Sequence, residues 1–362
     1  MEASAAVMVG SFILVLLVAP FPLRAHLDIG QVRQLAARNN VTGILVFGDS
    51  SVDPGNNNFL QTTAKGNFPP YGKDFFHHRP TGRFTDGRLA TDFIADALGY
   101  TKTVPGFLDP NLKQADMVHG VSFASAASGY DDYTANISNV LPLSEQLRYL
   151  LHYKVKLRRM VGPEKAESII KNAIFVISMG TNDFLQNYYL DPTRPSQYNL
   201  EQYQYFLVSR MAHHIQEMHK LGGKRVVVVG VPPLGCMPLV KTLMDETTCV
   251  ESYNNLSSSF NSKIEAKLAT IKATLQIRTA FIDTYAIVAN AMNNPQKYGL
   301  EETSKGCCGS GTIEYGDSCK GMNTCSDPTK YVFWDAVHPT EKMYKILADE
   351  ALESVKVQLL SN

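Results

Sequence analysis

Gly43-Ile44-Leu45-Val46-Phe47-Gly48-Asp49-Ser50 runs from an unbroken apolar stretch straight into a polar turn. A strand that is apolar at successive positions, with no alternation, is covered on both faces, which is the condition of a parallel sheet between helices. Four further runs of this kind follow at 120–124, 173–178, 225–231 and 279–282. Apolar residues recur at helical spacing over 86–98, 143–161, 200–221, 253–275 and 340–359. Thr85 or Asp86 would cap the first of these helices, and Gly99, Gly162 and Gly222 are natural stops. Strand and helix in alternation predict an α/β fold: a single three-layer α/β/α domain on a five-stranded parallel sheet, joined by right-handed crossovers. In such sheets ligands bind beyond the carboxyl ends of the strands, which is where Ser50 falls.

Three other polar motifs share that placement. Ser125-Ala126-Ala127-Ser128-Gly129-Tyr130 follows the second apolar run, Met179-Gly180-Thr181-Asn182-Asp183 follows the third, and Asp335-Ala336-Val337-His338 precedes the last helix. A serine hydroxyl is a weak nucleophile until an imidazole takes its proton, and that imidazole needs a partner to fix its tautomer. Asp335 and His338, three residues apart, can hang from one turn and serve as orienter and base to Ser50. Gly316-Asp317-Ser318 repeats the serine tripeptide, but no strand precedes it and it reads as turn chemistry.

As a set these motifs resemble the GDSL esterase/lipase family of the SGNH hydrolases, and specifically its secreted plant branch. The resemblance extends over about 41–359 and includes Asp53-Pro54-Gly55-Asn56-Asn57-Asn58, Phe68-Pro69-Pro70-Tyr71-Gly72, the stretch from Pro80 to Arg88, and Tyr331-Val332-Phe333-Trp334-Asp335. It implies the flavodoxin-like SGNH fold, with Ser50 as nucleophile, Asp335 as orienting acid, His338 as general base, and Ser50, Gly129 and Asn182 as oxyanion-hole donors. The chemistry agrees, since the oxygen of a tetrahedral intermediate gains charge that fixed N–H donors must meet. Two positions depart from the family pattern: Ser51 where leucine is usual, and Ser122 where asparagine is common. Neither removes a reacting group.

The implied activity is a secreted serine esterase or lipase that cleaves carboxylic esters through an acyl-enzyme, without cofactor or metal. Its substrate would be a small-molecule, lipid or cell-wall ester. An acyltransferase using the same acyl-enzyme and a non-catalytic lipid or glycan binding protein are the alternatives.

The rest of the chain fits this reading. Of 362 residues, 44% are hydrophobic and 19% charged, enough to bury a large core. Lys and Arg equal Asp and Glu at 34 each, so no net field recruits nucleic acid or an anionic membrane, and a monomer is expected. The apolar run over 5–18, followed by Ala19-Pro20-Phe21-Pro22-Leu23-Arg24-Ala25, reads as a signal peptide over 1–25. It is shorter than the about 20 residues needed to span a bilayer. Residues 26–40 would then be an N-terminal extension and 41–359 the hydrolase domain.

Six cysteines, Cys236, Cys249, Cys307, Cys308, Cys319 and Cys325, suggest disulfides in an exported chain. Cys236 with Cys249 is the simplest local bridge, and the adjacent Cys307 and Cys308 bond elsewhere. A zinc site is disfavoured, for there is no CxxC pair and no histidine in the cluster. Asn40, Asn136 and Asn255 each begin a glycosylation sequon. Asp49 and Asp183 read as ties for loop backbones. His213, His214 and His219 read as a solvated helix face beside a core stripe of Leu207, Met211, Ile215 and Met218, and His77 and His78 as exposed loop residues.

Overall fold

The computed structural model describes residues 28–361, and the expected signal segment, 1–25, lies outside them. Strands β1 (Ile44–Gly48), β2 (Ile174–Ser178), β3 (Arg225–Val229) and β4 (Arg278–Ile282) pair in parallel in that order. Every residue of β1 and β2 is buried, as strands without alternation require. Leu45, Phe47, Phe175 and Ile177 face one core, filled from helices Leu143–Val161, Pro163–Asn172, Leu200–Lys220 and Glu251–Leu275. Ile44, Val46, Ile174 and Val176 face a second core, closed by helices Ile29–Arg38, Ala90–Ala97 and Glu341–Val355. Two helical layers thus sandwich the sheet.

The apolar run at 120–124 lies along the free side of β1 without forming a regular ladder. Ile44 N–H donates to His119 O at 3.1 Å, Val46 N–H to Val121 O at 3.0 Å, and Phe123 N–H to Val46 O at 2.7 Å, with one parallel bridge between Val46 and Ser122. On its outer edge one parallel bridge joins Ser122 to Gly106, and side chains serve much of the rest. Asn56 Nδ2 donates to the carbonyls of Ser122 and Ala124, Asn57 Nδ2 to that of Ala126, and Asp53 accepts the Ala126 N–H. The edge is covered by a loop, which both closes it to pairing and frees it from strand geometry. The regular sheet therefore has four strands with this segment as its outer flank. Gly120 makes the approach possible, because a Cβ there would stand 1.7 Å from Ile44 O.

Chain order along the sheet reverses at β1, with the 120–124 segment on one side and β2 on the other. The crevice at a reversal of this kind, beyond the carboxyl ends of β1 and β2, is where ligands bind in open α/β sheets.

Some boundaries differ from expectation for local reasons. The helix expected from 86 begins at Ala90, supported by the Asp92 carboxylate, which accepts Leu89 N–H at 2.9 Å. Thr85 and Asp86 bind the other end of the chain instead: Thr85 Oγ1 donates to Pro339 O at 3.0 Å and Asp86 Oδ1 accepts Glu341 N–H at 2.7 Å. Within 26–40, the expected N-terminal extension, lies helix Ile29–Arg38, whose Val32 and Ala36 enter the second core. His214 is buried, not solvated, because 207, 211, 214 and 218 fall on one helical stripe; burial pushes its imidazole down to about 3 and keeps it neutral. His213, like His77 and His78, is exposed.

A small second sheet pairs β5 (Glu302–Gly306) with β6 (Tyr331–Phe333) in parallel. Disulfides join Cys236 to Cys249, Cys307 to Cys325 and Cys308 to Cys319. The first is the expected local bridge. The other two send the adjacent cysteines to separate partners and staple the loop between β5 and β6. Among the described residues no helix is long and apolar enough to cross a membrane, and no cluster of His, Cys, Asp and Glu could hold a metal ion.

Candidate active site

Beyond Gly48 the chain turns sharply, pinned to its neighbours. Asp49 N–H donates to Ser178 O at 3.0 Å, and the Asp49 carboxylate accepts the Ser51 N–H at 2.9 Å and the Ser51 hydroxyl at 2.7 Å. Burial pushes Asp49 up to about 6. Ser51 Oγ also lies 2.8 Å from Ser178 Oγ, so serine at this position ties the exit of β1 to the end of β2. Gln146, fully buried, accepts Gly48 N–H at 2.9 Å and donates to Gly48 O at 3.0 Å, and Ser128 Oγ donates to the same carbonyl at 2.8 Å. Ser50 is left half-buried at the tip.

The two strand-end motifs beside it are equally fixed. Asp183 accepts Tyr130 N–H at 2.8 Å, Asp131 N–H at 3.1 Å and the Thr134 hydroxyl at 2.6 Å, and burial pushes it up to about 7. Gly129 packs so tightly on this carboxylate that a Cβ would stand 2.2 Å from its Oδ1. Asn182 Nδ2 donates one hydrogen to Ser128 O at 3.0 Å, and its Oδ1 accepts from Gln186 at 3.4 Å, which orients the amide and leaves its second hydrogen free. The backbone N–H groups of Ser50 and Gly129 have no hydrogen-bond partner among the described residues.

Across from them, His338 Nε2 lies 2.9 Å from Ser50 Oγ, and His338 Nδ1 lies 2.8 Å from Asp335 Oδ2. Asp335 is fully buried and its oxygens are all occupied. Oδ1 accepts the N–H groups of Val337 and His338 at 2.8 and 2.7 Å, and Oδ2 accepts the Tyr71 hydroxyl at 2.7 Å. Burial, reinforced by Asp335, pushes the Tyr71 phenol well up, so it stays protonated and donates. Tyr71 is held in turn by Gly316 N–H at 2.7 Å. The second Gly-Asp-Ser copy is therefore a turn, as its sequence context suggests, whose amide supports the acid from behind. The ring of Phe84 packs on that of His338, centroids 4.9 Å apart.

Ser50, Asp335 and His338 thus form one hydrogen-bonded chain, and Ser50, Asn182 and His338 line one cavity. Gly129 is not among the cavity's lining residues and joins the group through Ser128, one residue earlier. Asn40, Asn136 and Asn255 lie apart from it and are exposed. Sequence reading missed Tyr71, Phe84 and Gln146. Tyr71 sits inside a quoted motif, but the partner that gives it meaning is 264 residues away.

A family described as GDSL-like Lipase/Acylhydrolase matches residues 44–351. Among curated relatives, GDSL esterase/lipase At5g45950 of Arabidopsis thaliana is 55% identical over 341 residues, covering 94% of this chain and 95% of that protein. GDSL esterase/lipase At2g42990 of the same plant is 43% identical over 321 residues, covering 87% and 92%. Among solved structures, the lipase Lip_vut3 from a goat rumen metagenome aligns with a TM-score of 0.38 at 12% identity, covering 87% of this chain and 97% of its own.

Proposed function

The chain belongs to the GDSL esterase/lipase family and is a carboxylic ester hydrolase; from that premise we propose that Ser50 is its nucleophile. The observation that carries the reading is the relay Ser50 Oγ, His338 Nε2, His338 Nδ1, Asp335 Oδ2, with links of 2.9 and 2.8 Å. Ser50 Oγ attacks the ester carbonyl carbon while its proton passes to His338 Nε2, and Asp335 stabilises the imidazolium. The carbonyl oxygen, now an oxyanion, takes the free N–H groups of Ser50 and Gly129 and the second Nδ2 hydrogen of Asn182. His338 returns the proton to the departing alcohol. It then takes one from water, whose oxygen attacks the acyl carbon, and gives that proton to Ser50 Oγ as the acyl–oxygen bond breaks and the acid leaves. Family membership favours hydrolysis over acyl transfer or binding without turnover.

Export through a signal peptide over 1–25 and action as a monomer on a lipid or cell-wall ester complete the proposal. Three disulfides and three exposed sequon asparagines support an extracellular setting. Rapid mixing with a chromogenic aryl ester tests the mechanism. A burst of one alcohol released per chain, followed by slower turnover, is expected; turnover without any burst under conditions where deacylation is slow would contradict an acyl-enzyme.

A further inference from the structure

The cavity that reaches Ser50 does not end at the surface crevice. It continues beneath the sheet into the second core, between Val176, Val229 and Ile282 on the strands and Ile94, Leu347 and Ala351 on helices Ala90–Ala97 and Glu341–Val355. Exposure of the central strand marks the opening: Phe175 and Ile177, on the other face of β2, are 0% exposed, but Val176 between them keeps 6%. Val229 and Ile94 are only half-buried although both lie inside the layer. The free space amounts to about 140 Å³. A well-packed interior leaves few voids larger than a water molecule, and an apolar cavity of roughly this size stays dry and admits apolar ligands.

Lining chemistry narrows the occupant. Among the described residues, Asp49 and His338, both beside Ser50, are the only charged residue types in the wall, and the deep wall is mostly aliphatic. Met343, Leu347 and Ala351 recur every four residues on one face of their helix, a path of about 12 Å leading away from His338. Thr91 and the buried, unpaired hydroxyl of Tyr344 are among the few polar groups set in that wall, too few to serve a sugar, whose remaining hydroxyls would go unpaired at a cost. A flexible aliphatic chain needs none.

We propose that this space is an acyl tunnel, so that the preferred substrates are esters of medium-length or longer unbranched aliphatic acids. The proposal rests on Ser50 as the reacting group, which places the acyl carbon at the tunnel mouth with the chain running down between sheet and helices. Each methylene taken from water into the tunnel raises kcat/KM by about fourfold until the space is full.

The test is a series of aryl esters from acetate to decanoate, with the unmodified protein and with two variants that plug opposite walls, Ala351→Phe and Ile94→Trp. A profile that climbs with chain length is expected in the unmodified protein, and the decanoate-to-acetate ratio of kcat/KM is expected to fall at least about tenfold in each plugged variant. A flat profile, or a ratio unmoved in variants whose thermal unfolding remains cooperative, would overturn the tunnel. Calorimetric binding of decanol, which needs no nucleophile, separates the two claims. Binding lost in Ala351→Phe sustains the tunnel even if Ser50 proves not to react, and no binding together with a flat profile overturns it.

Discussion

Ser50 and His338 reach the same hydrogen bond from unlike supports. Ser50 stands at the end of β1, and its turn is held by the sheet itself, by Gln146 and by Asp49, all buried. His338 stands on a loop outside that sheet. Trp334 N–H donates to His338 O at 2.7 Å across the loop, and the Trp334 carbonyl accepts the N–H groups of Cys307 and Cys308, each at 2.8 Å. Those two cysteines are disulfide-bonded, and the segment they staple supplies Gly316 to Tyr71. The serine is placed by regular secondary structure with no disulfide at its turn, whereas the histidine is placed by a long irregular loop beside a segment that two disulfides staple. Two of the three disulfides among the described residues, Cys307–Cys325 and Cys308–Cys319, sit on the side where ladder hydrogen bonds are few.

The contrast is tested first where the sides meet. Ser50→Ala and His338→Ala are each expected to lower kcat by about 10⁴- to 10⁶-fold, and the double variant no further, as residues acting as a unit do. Additive losses, read in steady-state assays, would mean that the two groups do not share a step. On the serine side, Asn182→Ala is expected to cost about 10²- to 10³-fold in kcat with folding intact. Unimpaired turnover would remove Asn182 from the oxyanion site.

On the histidine side, the paired change Cys308→Ser with Cys319→Ser loosens the support of Trp334 and Tyr71 without touching a reacting group. A fall of about 10- to 100-fold in kcat is expected, with KM little changed, since small misplacements of a base cost this much. If kcat holds while the variant merely melts earlier, the staple serves stability alone. Tyr71→Phe is milder. It removes one donor to a buried carboxylate, for an expected loss of about tenfold. The loss is expected in kcat with KM little changed, since the carboxylate that orients His338 is left one partner short. A change confined to KM would reduce Tyr71 to packing.

Stability against pH separates the sides least, because buried carboxylates on both shift alike. Burial raises Asp49 and Asp53 to about 6 and Asp86 and Asp183 to about 7. The folded chain therefore holds these protons more tightly than the unfolded one. The stabilisation is complete below the ordinary carboxylate range and is lost as pH rises through 6 to 7. A thermal midpoint about 2–4 °C higher at pH about 5 than at about 8 is expected in calorimetry; the reverse order would mean that these groups stay ionised in the fold.

Legibility in the sequence followed the same divide. The apolar runs of β1 and β2, the strand-end motifs and the Asp335–His338 spacing are local patterns; Ser50, Asn182 and His338 line one cavity, with Gly129 and Asp335 outside its lining. The edge run at 120–124 was legible as extended chain but not as an irregular flank, because beyond one backbone bridge to Gly106 its outer partners include side chains of Asn56 and Asn57, more than sixty residues earlier. Tyr71 and Phe84 acquire their positions beside Asp335 and His338 only through contacts across most of the chain. Disulfide connectivity, too, is a fact of folded proximity. His214 could have been read from its place on the 207–211–214–218 stripe, a periodicity that outweighs its polarity.

Mapping the covalent adduct of an active-site phosphonate by peptide mass spectrometry is the most direct check that Ser50 reacts under the control of His338. A single adduct on the peptide containing Ser50 is expected, abolished in Ser50→Ala and slowed by orders of magnitude in His338→Ala. Labelling at another residue, or undiminished labelling at Ser50 without the imidazole, would contradict it.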